Sequence, residues 1–380
     1  MRLSGSNIGE IVLKIIHVVG ARPNFMKVAP VMGALAECGD VSQVLVHTGQ
    51  HYDANMSRVF FDELGLPTPD VNLEVGSGSH AVQTAQIMMR FEEVVLARNP
   101  DLVLVYGDVN STVAAAVVCA KLRVPIGHVE AGLRSFDRSM PEEINRLLTD
   151  QVADLLFTPS ADGDQNLLRE GVAGGKIHLV GNVMIDTLVR LLPVAASRPV
   201  GNGLNADLKD YGLITLHRPS NVDNPTVLKA VMEVLVDVGA ELPLLFPVHP
   251  RTKARIAEFD MHALNNGRIR LLEPLGYLDF LKLQTGARVV VTDSGGIQEE
   301  TTYLGVPCIT VRENTERPVT VEIGTNVLVG QDMRRLREEL GRVLNGEGKR
   351  GEIPPLWDGK ASERIAQVIA GLRGGNRTED

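Results

Sequence analysis

Acidic and basic residues stand just past the ends of several short apolar runs in this 380-residue chain. Asp108 follows LVLVY (102–106), Glu130 follows PIGHV (125–129) and His217 follows GLITL (212–216). A strand ending there would deliver each side chain to the edge of a sheet. Carboxylates at two strand tips can supply a base and an acid to one substrate. A histidine at a third can act on a leaving phosphate or a substrate hydroxyl. Each also has a plainer reading. Asp108 suits the N-cap of the Ala-rich segment behind it, and Glu130 suits an ion pair with Arg134. Pro141-Glu142-Glu143 opens a further helix. Complementing the helix dipole accounts for Glu143 and competes with a chemical role for Glu142.

The strongest anion signal is VVVTDSGGIQEETTYLGVPCITVRENTERP (289–318). Its apolar start leads through Asp293-Ser294-Gly295-Gly296 into a segment that reads as a helix over Ile297–Leu304. A small, flexible strand-to-helix turn leaves backbone N–H groups free at the positive end of the helix dipole, which suits a phosphate. Glu300 lies one turn in, within reach of a sugar hydroxyl, and Arg317 offers a guanidinium to a second phosphate. Gly20 ends the first apolar run, with Arg22 and Lys27 close behind. Two cations there could neutralise a departing pyrophosphate. Together these point to a nucleoside-diphosphate site. An ordinary βα turn with Ser294 as N-cap remains open.

Short runs rich in Val, Ile and Leu alternate with helical patterns along the whole chain. Runs that are apolar throughout suit strands buried on both faces of a parallel sheet. The alternation predicts an α/β chain with two doubly wound Rossmann-like domains facing a cleft. We place them at 1–180 and 181–360, with a Pro-, Gly- and Asn-rich linker or excursion over 193–210. In such sheets, ligands bind at the carboxyl ends of the strands, where the residues above fall.

Composition narrows the function. Apolar residues make up 44% and charged residues 22%, a globular mix, and the net charge of −9 argues against nucleic acid or an anionic membrane as partner. The three cysteines, Cys38, Cys119 and Cys308, are far apart and fit the cytoplasm rather than a disulfide scaffold. No apolar run approaches a membrane span, and residues 1–10 read as a leader without assigned structure. No metal-ligand spacing is present, no nucleophile elbow, and no GxGxxG follows the first strand, which weakens a nicotinamide cofactor.

GARPNFMKVAP, HTGQH, GDVNST, GHVEAGLRS, MPEEINRLLTD, GNVMIDTL, LHRPSN, PVHPRT, TDSGGIQEET and TERPVTVEIGTNVLVG run in this order from residue 20 to 330. With these motifs the chain closely resembles the non-hydrolysing UDP-N-acetylglucosamine 2-epimerases. The resemblance implies a two-domain glycosyltransferase-B type fold, a homodimer, and a UDP-sugar substrate epimerised at C2 without a cofactor. It places the final helix, 361–380, back on the first domain. Carried over by motif, the catalytic groups are Asp108, Glu130, Glu142 and His217. The substrate-binding groups are Arg22, Lys27, Ser294, Gly295, Gly296, Glu300 and Arg317. Phe280 matches the position that packs on uracil, and Leu275 a position where the family often has a polar residue. The family often reads HRREN where this chain has His217-Arg218-Pro219-Ser220-Asn221, and Gln50-His51 continues into Tyr52-Asp53. In some members these regions hold a second UDP-sugar as activator. Their change here predicts weak activation or none. A hydrolysing epimerase and a UDP-sugar glycosyltransferase are the alternatives.

Overall fold

The apolar runs become strands of two parallel sheets. A computed structural model of the chain describes residues 12–49, 63–199, 210–259 and 268–375. The first sheet holds β1 (Leu13–Val19), β2 (Val41–His47), β3 (Val71–Asn72), β4 (Leu102–Tyr106), β5 (Ile126–Val129), β6 (Leu155–Thr158) and β7 (Ile177–Leu179). Their order is β3-β2-β1-β4-β5-β6-β7. The second holds β8 (Gly212–Thr215), β9 (Leu244–Pro247), β10 (Ile269–Leu272), β11 (Val289–Thr292), β12 (Cys308–Thr310) and β13 (Asn326–Leu328), ordered β10-β9-β8-β11-β12-β13. All pairings are parallel. Each sheet reverses direction once, between β1 and β4 and between β8 and β11. A doubly wound sheet opens its ligand crevice at such a reversal.

The strands are apolar throughout because both faces are covered. In the second sheet Val289 and Val291 enter one core with Ile214, Leu216 and Phe246, while Val290 enters another with Leu213 and Leu245. In the first sheet Ile16, Val18, Val103 and Val105 pack with Ile87, Phe91 and Val95 of the helix His80–Arg98. Those three helix residues recur at intervals of four, the spacing of one helix face.

The chain divides into two units. One takes residues up to Gly132, Asp137–Val183 and the stretch from Lys360 onward; the other takes Leu133–Phe136 and Met184–Gly359. Within the first, the terminal helix Ala361–Gly375 packs beside the helix Arg22–Glu37 and buries Ala361, Ile365, Ala366 and Ile369.

Three local readings change. β3 has only two residues, too few for a sequence pattern to show. The stretch read as a linker begins as helix: Val183–Ser197 continues through Pro193, and 200–209 lies outside the described residues. The helix of the glycine turn starts at Gly295, not Ile297. Both glycines therefore belong to its first turn. The predicted leader, 1–10, and Gln50-His51-Tyr52-Asp53 also fall outside the described residues. Among the described residues no helix is long and apolar enough to cross a membrane, and no group of three or more His, Cys, Asp or Glu side chains is placed to hold a metal.

Candidate functional site

In the first unit, the tips of β1 and β4 are fastened together. Asn24 accepts hydrogen bonds from the N–H groups of Gly20 and Ala21, both at 3.0 Å, and donates to the Tyr106 carbonyl at 2.8 Å. Gly20 has no room for a side chain, since a Cβ would lie 2.0 Å from the Ser111 hydroxyl. Arg22 starts the helix and is exposed, whereas Lys27 is buried. The Lys27 ammonium lies over Gly107 and pairs with Glu130. Glu130 itself sits at φ +73°, a left-handed conformation that a non-glycine residue adopts only under constraint.

Asp108 is not an N-cap. Val109 holds that position for the helix Asn110–Leu122. Instead the Asp108 carboxylate accepts from Nε and Nη2 of Arg146, at 3.0 and 2.7 Å, and its carbonyl accepts from Asn145 at 2.9 Å. Nη1 of the same arginine reaches Glu143 at 2.5 Å. Glu143 thus does more than complement a dipole: it helps aim Arg146. Asp108 and Glu142 both line a pocket of about 270 Å³ with Ser77, His80, Gln83, Asn110 and Asn145. Asn110 donates to Gln83 at 2.8 Å and stands 3.1 Å from the His80 ring, so the polar side chains form a linked array.

In the second unit, Asp293 follows β11 and is fully buried. It accepts from the backbone N–H groups of His217 and Arg218, from Asn221, and from His217 Nδ1 at 3.0 Å. Burial alone would raise this carboxyl, but the His217 hydrogen bond and charge, with the Arg218 N–H and Asn221, outweigh it and hold it below its ordinary value. With Nδ1 engaged, His217 can present Nε2 to a ligand.

The glycine turn of the second unit is built around Arg317. A Cβ on Gly295 would lie 2.6 Å from Arg317 Nη1. The guanidinium is held by Glu299 at 2.8 Å and Glu316 at 3.4 Å. Glu316 also binds Arg312 at 2.7 Å. Ser294 occupies the N-cap position but its hydroxyl makes no cap hydrogen bond. Glu300 is buried one turn in and accepts from Tyr277 at 3.0 Å. Burial drives its carboxyl up to about 7, against the opposing Tyr277 hydrogen bond. Leu275 and Phe280 are partly buried against the core of Tyr211, Leu213 and Leu245.

The structure therefore gathers Lys27, Asp108, Glu130 and Glu142, with Arg22 at the same edge, at strand ends of the first sheet. It gathers His217, Ser294, Gly295, Gly296, Glu300 and Arg317 at those of the second. Sequence reading did not single out Asp293, Arg146, Glu299 or Tyr277 as functional. Each touches its partner only after folding; the signals the sequence carried were the place of Asp293 just past the run Val289–Thr292 and that of Arg146 four residues beyond Glu142.

The family model described as UDP-N-acetylglucosamine 2-epimerase matches residues 33–370. A UDP-N-acetylglucosamine 2-epimerase of Methanocaldococcus jannaschii is 44% identical over 94% of this chain and 99% of its own length. A UDP-2,3-diacetamido-2,3-dideoxy-D-glucuronate 2-epimerase of Pseudomonas aeruginosa is 42% identical over 95% of this chain and all of its own. The crystal structure of a Methanocaldococcus jannaschii UDP-GlcNAc 2-epimerase with UDP-GlcNAc and UDP superposes with a TM-score of 0.87 at 42% identity, covering 94% of this chain and 100% of that one.

Proposed function

This chain belongs to the UDP-N-acetylglucosamine 2-epimerase family, and from that premise we propose that it interconverts UDP-N-acetylglucosamine and UDP-N-acetylmannosamine without net hydrolysis. The C2 proton of the sugar is not beside a carbonyl, so direct abstraction is hard. If the bond from C1 to the diphosphate oxygen breaks, positive charge develops at C1 and the C2 proton becomes acidic. Loss of that proton to a carboxylate leaves a 2-acetamidoglucal and bound UDP. Re-addition of UDP at C1, with protonation of C2 from the opposite face, gives the manno epimer. Nothing is oxidised or reduced overall, so no redox cofactor is needed.

Asp108, Glu130 and Glu142 are the candidate base and acid. Arg317, the glycine turn and the N-terminus of Gly295–Leu304 are suited to the diphosphate. Glu300 is the candidate for a hydroxyl, Phe280 and Leu275 for the base, and His217 for the leaving oxygen. Arg22 and Lys27 complete the assignment, Lys27 through Glu130. The same family reading makes the working unit a cytoplasmic homodimer.

The pocket beside Asp108 and Glu142 carries the reading. Among the described residues its lining offers the amides Gln83, Asn110 and Asn145, with His80, and includes no Lys or Arg. Asp108 is already paired with Arg146, but Glu142 would repel the carboxylate of a uronate, which favours a neutral N-acetylhexosamine. The test is proton NMR of the purified protein with UDP-N-acetylglucosamine in deuterated water. We expect UDP-N-acetylmannosamine in equilibrium with substrate, and deuterium at C2 of both. Accumulating free N-acetylmannosamine would point to the hydrolysing reaction. Turnover only with the diacetamido uronate would reverse the substrate choice.

A further inference from the structure

His128 and Asp150 are fully buried in the first unit, and the proposed chemistry uses neither. His128 Nδ1 lies 2.6 Å from Asp150 Oδ1, and His128 Nε2 lies 2.8 Å from the carbonyl oxygen of Gly107. A carbonyl oxygen only accepts, so Nε2 must carry the proton of that bond. The second carboxylate oxygen of Asp150 accepts from the N–H of Gly132 at 3.1 Å. Gly107 precedes Asp108, and Gly132 lies two residues past Glu130. One side-chain pair therefore grips both turns that bear the candidate acid and base.

Both turns are left-handed, and one of them is strained. Gly107 is at φ +63° and Gly132 at +81°, angles that glycine takes freely, whereas Glu130 is at +73°. A side chain at Gly132 would meet the Gly163 carbonyl at 2.5 Å. The Glu130 conformation persists where the surroundings over-determine it. The helix Pro141–Val152 supplies much of that determination. Glu142, Arg146 and Asp150 recur every four residues, the spacing of one helix face. Glu142 lines the pocket, Arg146 holds Asp108, and Asp150 holds Gly132 and His128.

We propose that His128 and Asp150 are positioning residues, which fix the turn carrying Asp108 relative to the turn carrying Glu130. This rests on the reading that those carboxylates act on the sugar. A misplacement of about 1 Å can cost roughly 100-fold in rate.

The experiment compares Asp150→Asn, His128→Gln, Asp108→Asn and the double variant Asp150→Asn/Asp108→Asn in the full chain. UDP-N-acetylglucosamine turnover gives kcat and KM, and UDP affinity is titrated separately. We expect kcat to fall roughly 10–100-fold in Asp150→Asn and His128→Gln, with UDP affinity unchanged. The double variant should be faster than the product of the single losses predicts, because the relative placement of the two turns matters less once Asp108 can no longer act. Wild-type kcat in both single variants, losses confined to KM, or losses that multiply would overturn the proposal. Wild-type turnover in Asp108→Asn would instead sink the catalytic reading. Should a variant fail to fold, the wild-type protein labelled with 15N-histidine decides: His128 must carry its proton on Nε2, and a ring without it overturns the proposal.

Discussion

The ammonium of Lys27 and the carboxylate of Glu130 form a buried ion pair, joining the first helix to the tip of β5. The two sit at widely separated sequence positions and have separate expected roles, one as a cation for the diphosphate and the other as an acid or base. The pair changes what Lys27 should do. Removing one member of a buried pair costs about 3–5 kcal/mol, because the other loses its compensating charge. Lys27→Met should therefore lower stability by about that amount and reduce turnover, with UDP affinity changed less than by Arg317→Ala. Urea unfolding and calorimetric titration with UDP check the order. A large loss of UDP affinity at unchanged stability would return Lys27 to the phosphate.

Gly295 offers a sharper test of the diphosphate site than Ser294. Its missing Cβ makes room for the Arg317 guanidinium. Gly295→Ala should displace the end of that side chain and weaken UDP binding about as much as Arg317→Ala. Ser294→Ala should weaken it less, since its neighbours' N–H groups survive and charge-assisted bonds are roughly twice as strong as neutral ones. Titration with UDP ranks the three. If Ser294→Ala proved the worst, the hydroxyl rather than Arg317 would be the main phosphate donor.

Much of the fold was legible in the chain, for stated physical reasons. Runs such as Leu102–Tyr106 are apolar throughout, which only a sheet covered on both faces requires, and they became strands at the expected places. Strand tips could be read because Asp108, Glu130, His217 and Ser294 each follow such a run. Their partners could not be read. Arg146 lies 38 residues beyond Asp108 and Asp293 lies 76 beyond His217. Local pattern fixes what lies on a face or at a tip, whereas the topology of the sheet decides which tips become neighbours. The same limit made Asp108 look like a capping residue, and hid that Ser294 takes the N-cap position without a cap hydrogen bond from its hydroxyl.

The three carboxylates should separate by their surroundings. Asp108→Asn, Glu130→Gln and Glu142→Gln should each lower turnover by about 10²–10⁴-fold, the usual worth of general acid–base catalysis, while UDP binding changes less. Glu142 is half-buried at a helix start, so Glu142→Gln should remain as stable as wild type. Glu130→Gln loses the Lys27 pair and should also unfold at lower urea. Near-wild-type turnover in all three variants would refute the assignment.

Activation by a second UDP-sugar should be weak or absent. Pro219 stands where the family often has an arginine, and here it starts the helix Pro219–Val222. The neighbouring Arg218 is already engaged, donating to the Asp293 carbonyl at 3.0 Å with Glu316 at 3.9 Å. Conversion of pure UDP-N-acetylmannosamine should therefore start without a lag. A reaction that waits for added UDP-N-acetylglucosamine would contradict this.

Glu300 makes stability depend on pH in the direction opposite to a salt-bridged acid. Burial moves its carboxyl from 4.5 up to about 7 in the folded protein. Between those values the unfolded chain releases the proton while the folded chain keeps it. The folded state then binds more protons, so stability falls as pH rises through this window and levels off above about 7. A tenfold change in acidity corresponds to about 1.4 kcal/mol, so the full effect amounts to a few kcal/mol. Asp293, held below 3.8, works the other way: its contribution is present above that value and is lost as pH falls further, outside the Glu300 window. Glu300→Gln removes the ionisation and keeps an acceptor for Tyr277. Without UDP, the variant should gain on wild type in urea stability as pH rises from 5 to 7.5. A difference between them that stays constant with pH would mean that Glu300 ionises in the folded protein as readily as in the unfolded chain.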